Sequence, residues 1–349
     1  MRINFKAILQ PVIALIFALA VSMSLTLFAG ENPINVLKIL FLNSFGTNYD
    51  IGMTLFYATP LIFTGLAVAM AGQVGMFNIG AEGQLTLGAL TAAIIGATID
   101  LPFPLAPYVA LFGGLLVAGL WGFIPGWLKV VRGSHEVITT IMLNFVAAGI
   151  ASFVTVQLFQ NPGSMNPETL PIKANYFLQH RDLLAPYFPN TPLSFGFVLA
   201  LIWAIVLWIL LNKTVLGYQI RAVGQNEVAA RVAGIKSGKI KILVMFLSGL
   251  SAGFIAYSEI LASTGQFKFG FSANYGFTGI AVALMAANSP IGVIFTGLLF
   301  GALHKGASGI EFDTENITRD FSFLLQGTVI LFVSAQGIWT FFLKKKGDA

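Results

Sequence analysis

The chain contains no cysteine among its 349 residues, and only 9% of them are charged. The missing thiols exclude disulfides, thiol chemistry and cysteine-ligated metal sites. The three histidines lack the His-x-x-x-His or Glu-x-x-His spacing of a helical metal site, so no metal ligands are assigned. The sequence also lacks a Gly-x-x-x-x-Gly-Lys-Ser/Thr phosphate loop, and we therefore expect no ATP hydrolysis by this chain itself.

Hydrophobic residues make up 56% of the chain, and its mean hydropathy is +0.84. A soluble core cannot absorb so much apolar surface, so the composition predicts a polytopic membrane protein. The net charge of +5 is a modest surplus and does not predict nucleic-acid binding. The amino terminus lacks a convincing cleavage site and is interpreted as a retained first span.

Apolar windows of roughly 20 residues, enough to cross about 30 Å of hydrocarbon, recur along the chain. They predict an all-α membrane protein of about ten transmembrane helices in one transmembrane domain, residues 1–349. A shorter, glycine-interrupted segment near 274–288 is either a tenth crossing or a half-helix that turns back. The longer windows fall near residues 8–29, 51–72, 81–99, 105–128, 136–159, 193–212, 240–262, 290–310 and 320–343.

Basic residues are shared unevenly between the two sides of this arrangement, with 13 on the side of the amino terminus and 6 on the other. Because cytoplasmic loops carry the excess of Lys and Arg, this bias predicts that both termini and the loop 213–240 are cytoplasmic. The proline-rich loop 160–192 and the acidic stretch 311–320 are then extracytoplasmic. Spans 1–5 and 6–10 run in opposite directions in this arrangement, which allows two inverted five-helix repeats.

Two glycine-broken helix starts, Phe77–Ala89 and Tyr275–Ala287, fit such a repeat, although 37 glycines also make chance similarity common. Glu82 lies in the first one, four residues after Asn78 and on the same helix face, with Gln84 nearby. In one interpretation Asn78 caps the helix and the macrodipole stabilises Glu82 in the first turn. In the other, the broken helix exposes these groups to a substrate route, and the two interpretations are compatible.

Other polar and aromatic residues are further candidates for the substrate pathway. Buried amides most often form interhelical hydrogen bonds, but Asn144 and Asn288 follow small or apolar residues and have no obvious local partner. Phe77 and Phe277 lie beside glycines in the two broken segments and suit the stacking of a planar ligand. The predicted substrate-pathway residues are Phe77, Asn78, Glu82, Gln84, Asn144, Phe277 and Asn288.

A charged segment rich in small residues, Gly217–Ile235, lies between two long apolar runs. Such an island belongs in water, and its excess of Lys and Arg favours the cytoplasmic side. Small residues permit close docking of a helix, while Arg221, Glu227 and Arg231 supply polar contacts at the rim. We interpret the segment as a docking element for a soluble partner; the alternative is a solvated helix between two spans.

Four strings occur in a fixed order: Gly75-Met-Phe-Asn-Ile-Gly-Ala-Glu-Gly-Gln84, His135-Glu-Val-Ile-Thr-Thr-Ile-Met-Leu-Asn144, Arg221-Ala-Val-Gly-Gln-Asn-Glu-Val-Ala-Ala-Arg-Val-Ala-Gly234 and Gly276-Phe-Thr-Gly-Ile-Ala-Val-Ala-Leu-Met-Ala-Ala-Asn-Ser-Pro290. Together they resemble bacterial ABC importer permeases of the ribose and branched-chain amino acid superfamily. The patterns look most like its nucleoside, or simple-sugar, branch. The resemblance covers about residues 50–335.

The resemblance implies a cytoplasmic coupling helix that docks in a groove of a separate ATP-binding subunit. That subunit, rather than this chain, is then expected to bind ATP and Mg. Further implied partners are a second, different permease chain in the bacterial plasma (inner) membrane and an extracytoplasmic substrate-binding lipoprotein, received by loops 30–50 and 160–192. The expected coupling residues are Arg221, Gly224, Asn226, Glu227, Ala229, Ala230, Arg231 and Gly234.

The substrate class rests on the same resemblance, and a nucleoside suits aromatic faces and amide side chains. A monosaccharide is the first alternative. A branched-chain amino acid fits less well, because few intramembrane charges are present to hold its ammonium and carboxylate groups. From another class, an ion-coupled secondary transporter would use Glu82 or Glu259 as its coupling acid. An intramembrane enzyme lacks a nucleophile and a base at helical spacing.

Overall fold

The structure is a computed structural model, and it describes residues 5–178, 184, 186–272, 274–314, 317, 324–325, 327–328 and 331–332. For residues 5–15 and 311 it describes the backbone alone. Most of the last predicted span, near 320–343, and half of the acidic stretch 311–320 lie outside the described residues. The same is true of Arg2, Arg181, Arg319 and the lysines at 344–346, which entered the count of basic residues.

The described residues form an all-α fold, as the sequence predicts, with two isolated β-bridges and no strand. Short π-helical stretches at Val154–Leu158 and Ala256–Thr264 extend two of the helices. The α-helices are α1 Phe5–Thr26, α2 Pro33–Phe45, α3 Asn48–Gly72, α4 Ala81–Thr98, α5 Leu105–Arg132, α6 Glu136–Phe153, α7 Gly196–Lys213, α8 Val215–Gln225, α9 Glu227–Val232, α10 Ser237–Gly253, α11 Tyr275–Met285 and α12 Pro290–Asp313.

Six helical segments in the described part of the chain are long and apolar enough to cross a membrane. They contain α3, α5, α6, α7, α10 and α12. The end of α1 and α2 form a further apolar pair, which is bent by 117°. The chain is therefore a multi-pass membrane protein, with shorter helices between the long ones.

Helix α3 is the centre of the bundle and packs against α10, α11 and α12. Every residue from 58 to 71 is buried. The close packing depends on small residues, which let helix backbones approach each other in a membrane. A Cβ at Gly65 would lie 2.7 Å from Val282 of α11, and one at Gly122 of α5 would overlap the backbone of α10 at Met245.

The bundle has a loop end, formed by residues 160–178, and a basic end, where α8, α9 and the start of α10 lie. At the loop end, residues 160–178 pack on residues 261–269, and the backbone N–H groups of Thr169 and Ile172 donate to the carbonyls of Phe267 and Gly265 at 2.9 and 2.8 Å. At the basic end, residues 73–75 meet Gly224 of α8, and α8 packs in turn against α9 and α10. The predicted loop 160–192 is thus folded onto the bundle in its described part.

The structure corrects the prediction of a loop at residues 30–50, because helix α2 occupies most of it. Asn32 caps the helix by accepting the N–H of Ile34 at 2.9 Å, and Pro33 occupies its first turn. At 13 residues, α2 is too short to cross a bilayer, and therefore a search for spanning windows does not detect it. It packs on α12 and α3.

Candidate substrate site and coupling segment

Helix α4 begins inside the bundle, after a break in the helical chain at residues 73–80, the first break. Asn78 in this break is fully buried and donates to Ser248 Oγ at 2.7 Å and to Gln84 Oε1 at 2.9 Å. Gln84 donates back to Asn78 Oδ1 at 3.1 Å. Ser248 lies about 16 Å along α10 from its start, since each helical residue rises about 1.5 Å. The first break therefore re-enters the membrane interior.

Asn144 of α6 holds the start of α4 from the other side. Its Oδ1 accepts the N–H of Gly83 at 2.9 Å, and its Nδ2 donates to the carbonyl of Ile79 at 2.9 Å. The first turn of a helix leaves backbone N–H groups without intrahelical partners, and such groups are costly in an apolar interior. Asn144 thus satisfies polar backbone groups at the start of α4, and Asn78 Oδ1 accepts the N–H of Gly80 at 2.9 Å within the first break. The prediction that Asn78 caps the helix is wrong, because Gly80 occupies the N-cap position of α4.

Glu82 links the first break to the second break, residues 265–274, which precedes α11. Its carboxylate accepts the N–H of Gly276 at 2.7 Å and the hydroxyl of Ser272. Glu82 lies in the first turn of α4, and Gly276 lies in the first turn of α11, so the positive ends of two helix dipoles meet at one carboxylate. A Cβ at Gly276 would overlap the backbone of Glu82, and only glycine allows this contact.

Helix α11 is a half-helix, which decides between the two alternatives for residues 274–288. Its 11 residues span about 16 Å, roughly half of the hydrocarbon thickness. It runs from the Glu82 junction to the basic end, where Gln73 Nε2 donates to the carbonyl of Asn288 at 2.7 Å. Helix α4 leaves the junction toward the loop end, where Lys173 N–H donates to the carbonyl of Gly96 at 2.9 Å. The opposite directions are those that an inverted repeat requires.

A pocket of about 260 Å³ opens beside Glu82. It combines a carboxylate, hydroxyls and amides with aromatic rings, the mixture that small-ligand sites use to fix orientation and exclude water. Phe269 is 43% exposed, and the rings of Phe267 and Phe271 pack edge to face with centroids 5.4 Å apart. The lining residues are Glu82, Gly83, Thr86, Asn144, Ala148, Phe267, Phe269, Gly270, Phe271, Ser272 and Asn274.

The sequence analysis missed the second break as a wall of this pocket. Its alternating phenylalanines at 267, 269 and 271 and its glycines were visible in the sequence. Gly265, Gly270 and Asn274 have φ values of +68°, +82° and +66°, a conformation that favours Gly and Asn and ends the regular helix. An aromatic run between such residues is the pattern from which the wall could have been inferred.

The predicted pathway residues are not all brought together. Glu82 and Asn144 line the pocket, whereas Asn78 and Gln84 do not line it and bond to each other. Asn288 lies in the turn between α11 and α12 at the basic end, where a Cβ on Gly72 would lie 2.7 Å from its amide. Phe77 is partly buried in the first break, and Phe277 of α11 is 42% exposed. Substrate contact by these residues stays a prediction.

Glu259, the other acid considered for ion coupling, lies in the π-helical stretch after α10. It is buried, and its Oε1 has no hydrogen-bond partner among the described residues. Among the described residues, no salt bridge joins Glu259 to a basic side chain. π-Helical turns in membrane spans frequently mark functional positions, but the geometry alone gives Glu259 no role.

The predicted coupling segment forms two helices rather than one. Asn226 ends α8 and caps α9, since its Oδ1 accepts the N–H of Ala229 at 3.0 Å. Gly224 at the end of α8 lies against the backbone of Gln73, and a Cβ there would overlap the Gln73 carbonyl. The coupling segment, residues 215–232, therefore touches the first break directly.

Glu227 fixes α9 to the start of α10. Its carboxylate accepts from Lys241 Nζ at 2.6 Å, from Arg231 Nη2 at 2.6 Å and from Ser237 Oγ at 3.1 Å. These hydrogen bonds, the one from Lys241 first, lower the pKa of Glu227 to about 2. The carboxylate is thus ionised throughout the physiological range.

The outward side of α9 is apolar, and sequence analysis did not select it. Val228 and Val232 are 70% and 85% exposed, whereas Ala230 is buried against the chain's own core. Ala229, Arg231 and the turn at Gly234 are exposed. Exposed apolar residues beside charged ones are typical of a protein interaction surface.

A membrane bundle with half-helices that meet at a polar junction, and with an exposed helical segment beside it, is the architecture of a transport permease. Residues 51–334 match the family of branched-chain amino acid transport system permease components, and the chain belongs to this family.

Its relatives include the guanosine ABC transporter permease protein NupP of Bacillus subtilis, 33% identical over 97% of each chain. The nucleoside ABC transporter permease protein NupB of Lactococcus lactis is 33% identical over 97% of this chain and 94% of its own. The glucose ABC transporter permease protein TsgB13 of Haloferax volcanii is 32% identical over 93% of this chain and 86% of its own. No solved structure matches the chain.

Proposed function

We propose that this chain is the permease subunit of an ATP-driven importer for nucleosides. The similarity over 97% of its length to a guanosine permease and to a nucleoside permease carries the proposal. The pocket beside Glu82 supports it, because phenylalanine rings stack on a planar base while amide, hydroxyl and carboxylate groups accept or donate hydrogen bonds to base edges and ribose.

Transport is coupled to ATP through the coupling segment. A separate ATPase subunit binds ATP and Mg and docks on α9 and the turn at Gly234. Movement of the segment passes to Gln73 through its contact with Gly224, and then to Asn288 through the 2.7 Å hydrogen bond. Asn288 lies in the turn that follows α11. At the opposite end of α11, the N–H of Gly276 donates to Glu82. One half-helix thus connects the ATPase side to the pocket, and alternating access follows from shifting it.

The complete importer contains a second, different permease and a substrate-binding lipoprotein. Helix α6 presents exposed apolar side chains such as Ile138, Phe145 and Phe153, and we assign this face to the second permease. The lipoprotein docks at the loop end, on the described part of loop 160–192. The two partners themselves are expectations from the family resemblance. Because α6 lines part of the pocket beside Glu82, that pocket would lie next to the interface with the second permease.

The basic end faces the cytoplasm in this proposal, and the cysteine-free sequence makes the orientation easy to test. Met165 at the loop end and Val232 at the basic end are both highly exposed. In intact cells a membrane-impermeant maleimide should label the Met165→Cys variant and not Val232→Cys, which should react only after permeabilisation. The opposite labelling pattern would reverse the orientation.

Uptake into cells that produce this chain with its ATPase, second permease and lipoprotein tests the function. We expect labelled guanosine and uridine to enter in an ATP-dependent manner, and leucine to be excluded. Gly224→Trp should abolish uptake, because its side chain would overlap Gln73 and displace the coupling segment. The control Ile209→Trp places the same residue at an exposed position of α7, outside the coupling segment, and should transport normally.

A monosaccharide is the second candidate, favoured by the 32% identity to the glucose permease. Uptake of glucose without nucleosides would establish it in place of the nucleoside proposal. Uptake that stops with an uncoupler while ATP persists would instead show an ion-coupled transporter. The variants Glu82→Gln and Glu259→Gln would then identify the coupling acid.

A further inference from the structure

A basic pocket of about 670 Å³ lies at the basic end, away from the Glu82 pocket. It is formed by the last turn of α5, by α9 and by the first turns of α10. Five cations line it and only one acid, Glu227, does so. The basic residues are Lys129, Arg231, Lys236, Lys239 and Lys241.

The pocket keeps a positive surplus after its ion pairs are taken into account. Arg231 and Lys241 both bind Glu227 at 2.6 Å, and Lys129 binds Glu136 at 2.8 Å. Within the described ranges, Lys236 and Lys239 have no acidic partner, and both are exposed. Together with the single charge of Glu227 shared between Arg231 and Lys241, these two ammonium groups give the cavity a positive potential that favours an anion.

The wall of the pocket adds backbone donors to these charges. Helix α10 has 17 residues, and the N–H groups of Gly238 and Lys239 in its first turn have no intrahelical acceptor. The positive end of the helix dipole therefore faces the same cavity as Lys236 and Lys239. A Cβ at Gly238 would lie 2.8 Å from Val130, so glycine keeps α5 close to this turn. The arrangement fits a phosphate group.

The position of the pocket in the membrane indicates the source of that phosphate. Helices α5 and α10 belong to apolar spans, and the pocket lies where both leave the hydrocarbon. Exposed Val130, Val131 and Leu243 continue the surface next to the cations. An apolar wall does not stabilise a soluble phosphate ion, whereas the acyl chains of a phospholipid pack against it.

We propose that this pocket binds the headgroup phosphate of an anionic phospholipid, held by Lys236 and Lys239 at the start of α10. The bound phosphate lies beside Arg231 and Lys241, the two cations that fix Glu227 and α9. Lipid composition would thereby set how firmly the coupling segment is held. This last consequence rests on the proposed function, whereas the binding itself does not.

Binding is measured on the full chain in nanodiscs of phosphatidylcholine containing increasing phosphatidylglycerol, with bound lipid counted by native mass spectrometry. We expect the wild type to retain phosphatidylglycerol selectively. Lys239→Gln should weaken retention by about fivefold, and Lys236→Gln/Lys239→Gln by more, because each basic residue near a membrane surface contributes about that factor. The matched control Lys213→Gln removes a basic residue at the same end outside the pocket and should bind as the wild type does.

Equal phosphatidylglycerol retention by the wild type and the double variant would overturn the proposal. Two kinds of competitor, soluble anions and the ATPase subunit, identify other occupants. Displacement of the lipid by inorganic phosphate or guanosine monophosphate would assign the pocket to a soluble anion, and displacement by the ATPase subunit would assign it to the protein interface; either result overturns the lipid assignment. Because no transport is measured, a failure of the nucleoside proposal would not affect the result.

Discussion

Glu82 in the membrane interior and Glu227 in the coupling segment both join two helices, but they do so with opposite partners. Glu82 accepts from a backbone N–H of α11 and from the hydroxyl of Ser272. Glu227 accepts from the cations Arg231 and Lys241, each at 2.6 Å. A cation beside Glu82 would itself have to be buried in an apolar interior, at high cost. Helix ends supply positive potential without a second buried ion.

The difference separates a rigid junction from an adjustable one. A buried hydrogen bond to a charged group contributes about 1.5–3 kcal/mol, and leaving its partner unsatisfied costs more. Partly exposed ion pairs contribute about 0.2–1 kcal/mol and exchange readily with water and other ions. We therefore expect changes at Glu82 to lower both stability and transport, and changes at Glu227 to lower transport with little loss of stability.

The largest effect is expected where the two half-helices touch. Gly276→Val places side-chain atoms on the backbone of Glu82 and should separate α4 from α11, destabilising the bundle by about 1–3 kcal/mol or more. Nucleoside uptake should disappear, and the thermal midpoint in detergent should fall. Gly149→Val is the matched control for the thermal midpoint of the isolated chain, because a Cβ at Gly149 of α6 meets nothing within 4 Å. An equal fall of the midpoint in both variants would contradict the role of the contact.

Changing the Glu82 side chain itself should have the next largest effect. Glu82→Ala leaves the N–H of Gly276 and the hydroxyl of Ser272 without their acceptor, at about 1–3 kcal/mol for each buried group. Glu82→Gln keeps one carbonyl acceptor for Gly276 and should retain part of the stability and of the uptake. The thermal midpoints should follow the order wild type, Gln, Ala. A Gln variant as defective as the Ala variant would show that charge, not hydrogen bonding, holds the junction.

Glu227→Gln tests the adjustable junction. It removes the charge that holds Arg231 and Lys241 while preserving size and an acceptor for Ser237. We expect a change in thermal midpoint corresponding to less than about 1 kcal/mol, together with a clear loss of ATP-dependent uptake. A loss of stability as large as that of Glu82→Ala would remove the distinction between the two junctions.

Sequence reasoning located Glu227 and Arg231 of one junction, but of the other it located only Glu82 and not its partners. Asn78 and Glu82 were visible as polar residues in an apolar run, whereas Gly276 lies 194 residues from Glu82 and only the folded chain brings them together. The relatively short α2 contains Lys38 and lacks the length of a span, so apolar windows could not reveal it. The coupling segment divides into two helices because the side chain of Asn226 caps the second one. The small residues around Asn226 fit one continuous helix equally well, so the sequence pattern does not reveal the division.

Residue roles were harder to predict than residue positions. Asn144 was selected because it had no local partner, and its partners are the backbone of Ile79 in the first break and of Gly83 in α4. Asn288 was selected for the same reason but lies in a turn at the basic end. A polar residue in an apolar run indicates that its side chain has a tertiary partner. Whether that partner is a bound ligand or the backbone of another segment depends on the fold and not on the local sequence.

The smallest expected effect concerns pH at the coupling segment. Hydrogen bonds from Lys241 and Arg231 lower the pKa of Glu227 from 4.5 to about 2 in the folded chain. Because the folded pKa is the lower one, these contacts stabilise the fold fully above the unfolded pKa and lose that contribution only as pH falls toward 2. Between about pH 6 and 8, the difference in thermal midpoint between wild type and Glu227→Gln should therefore stay constant. A difference that shrinks within this range would show that Glu227 exchanges protons where the cell operates, and that its junction responds to pH as well as to its partner.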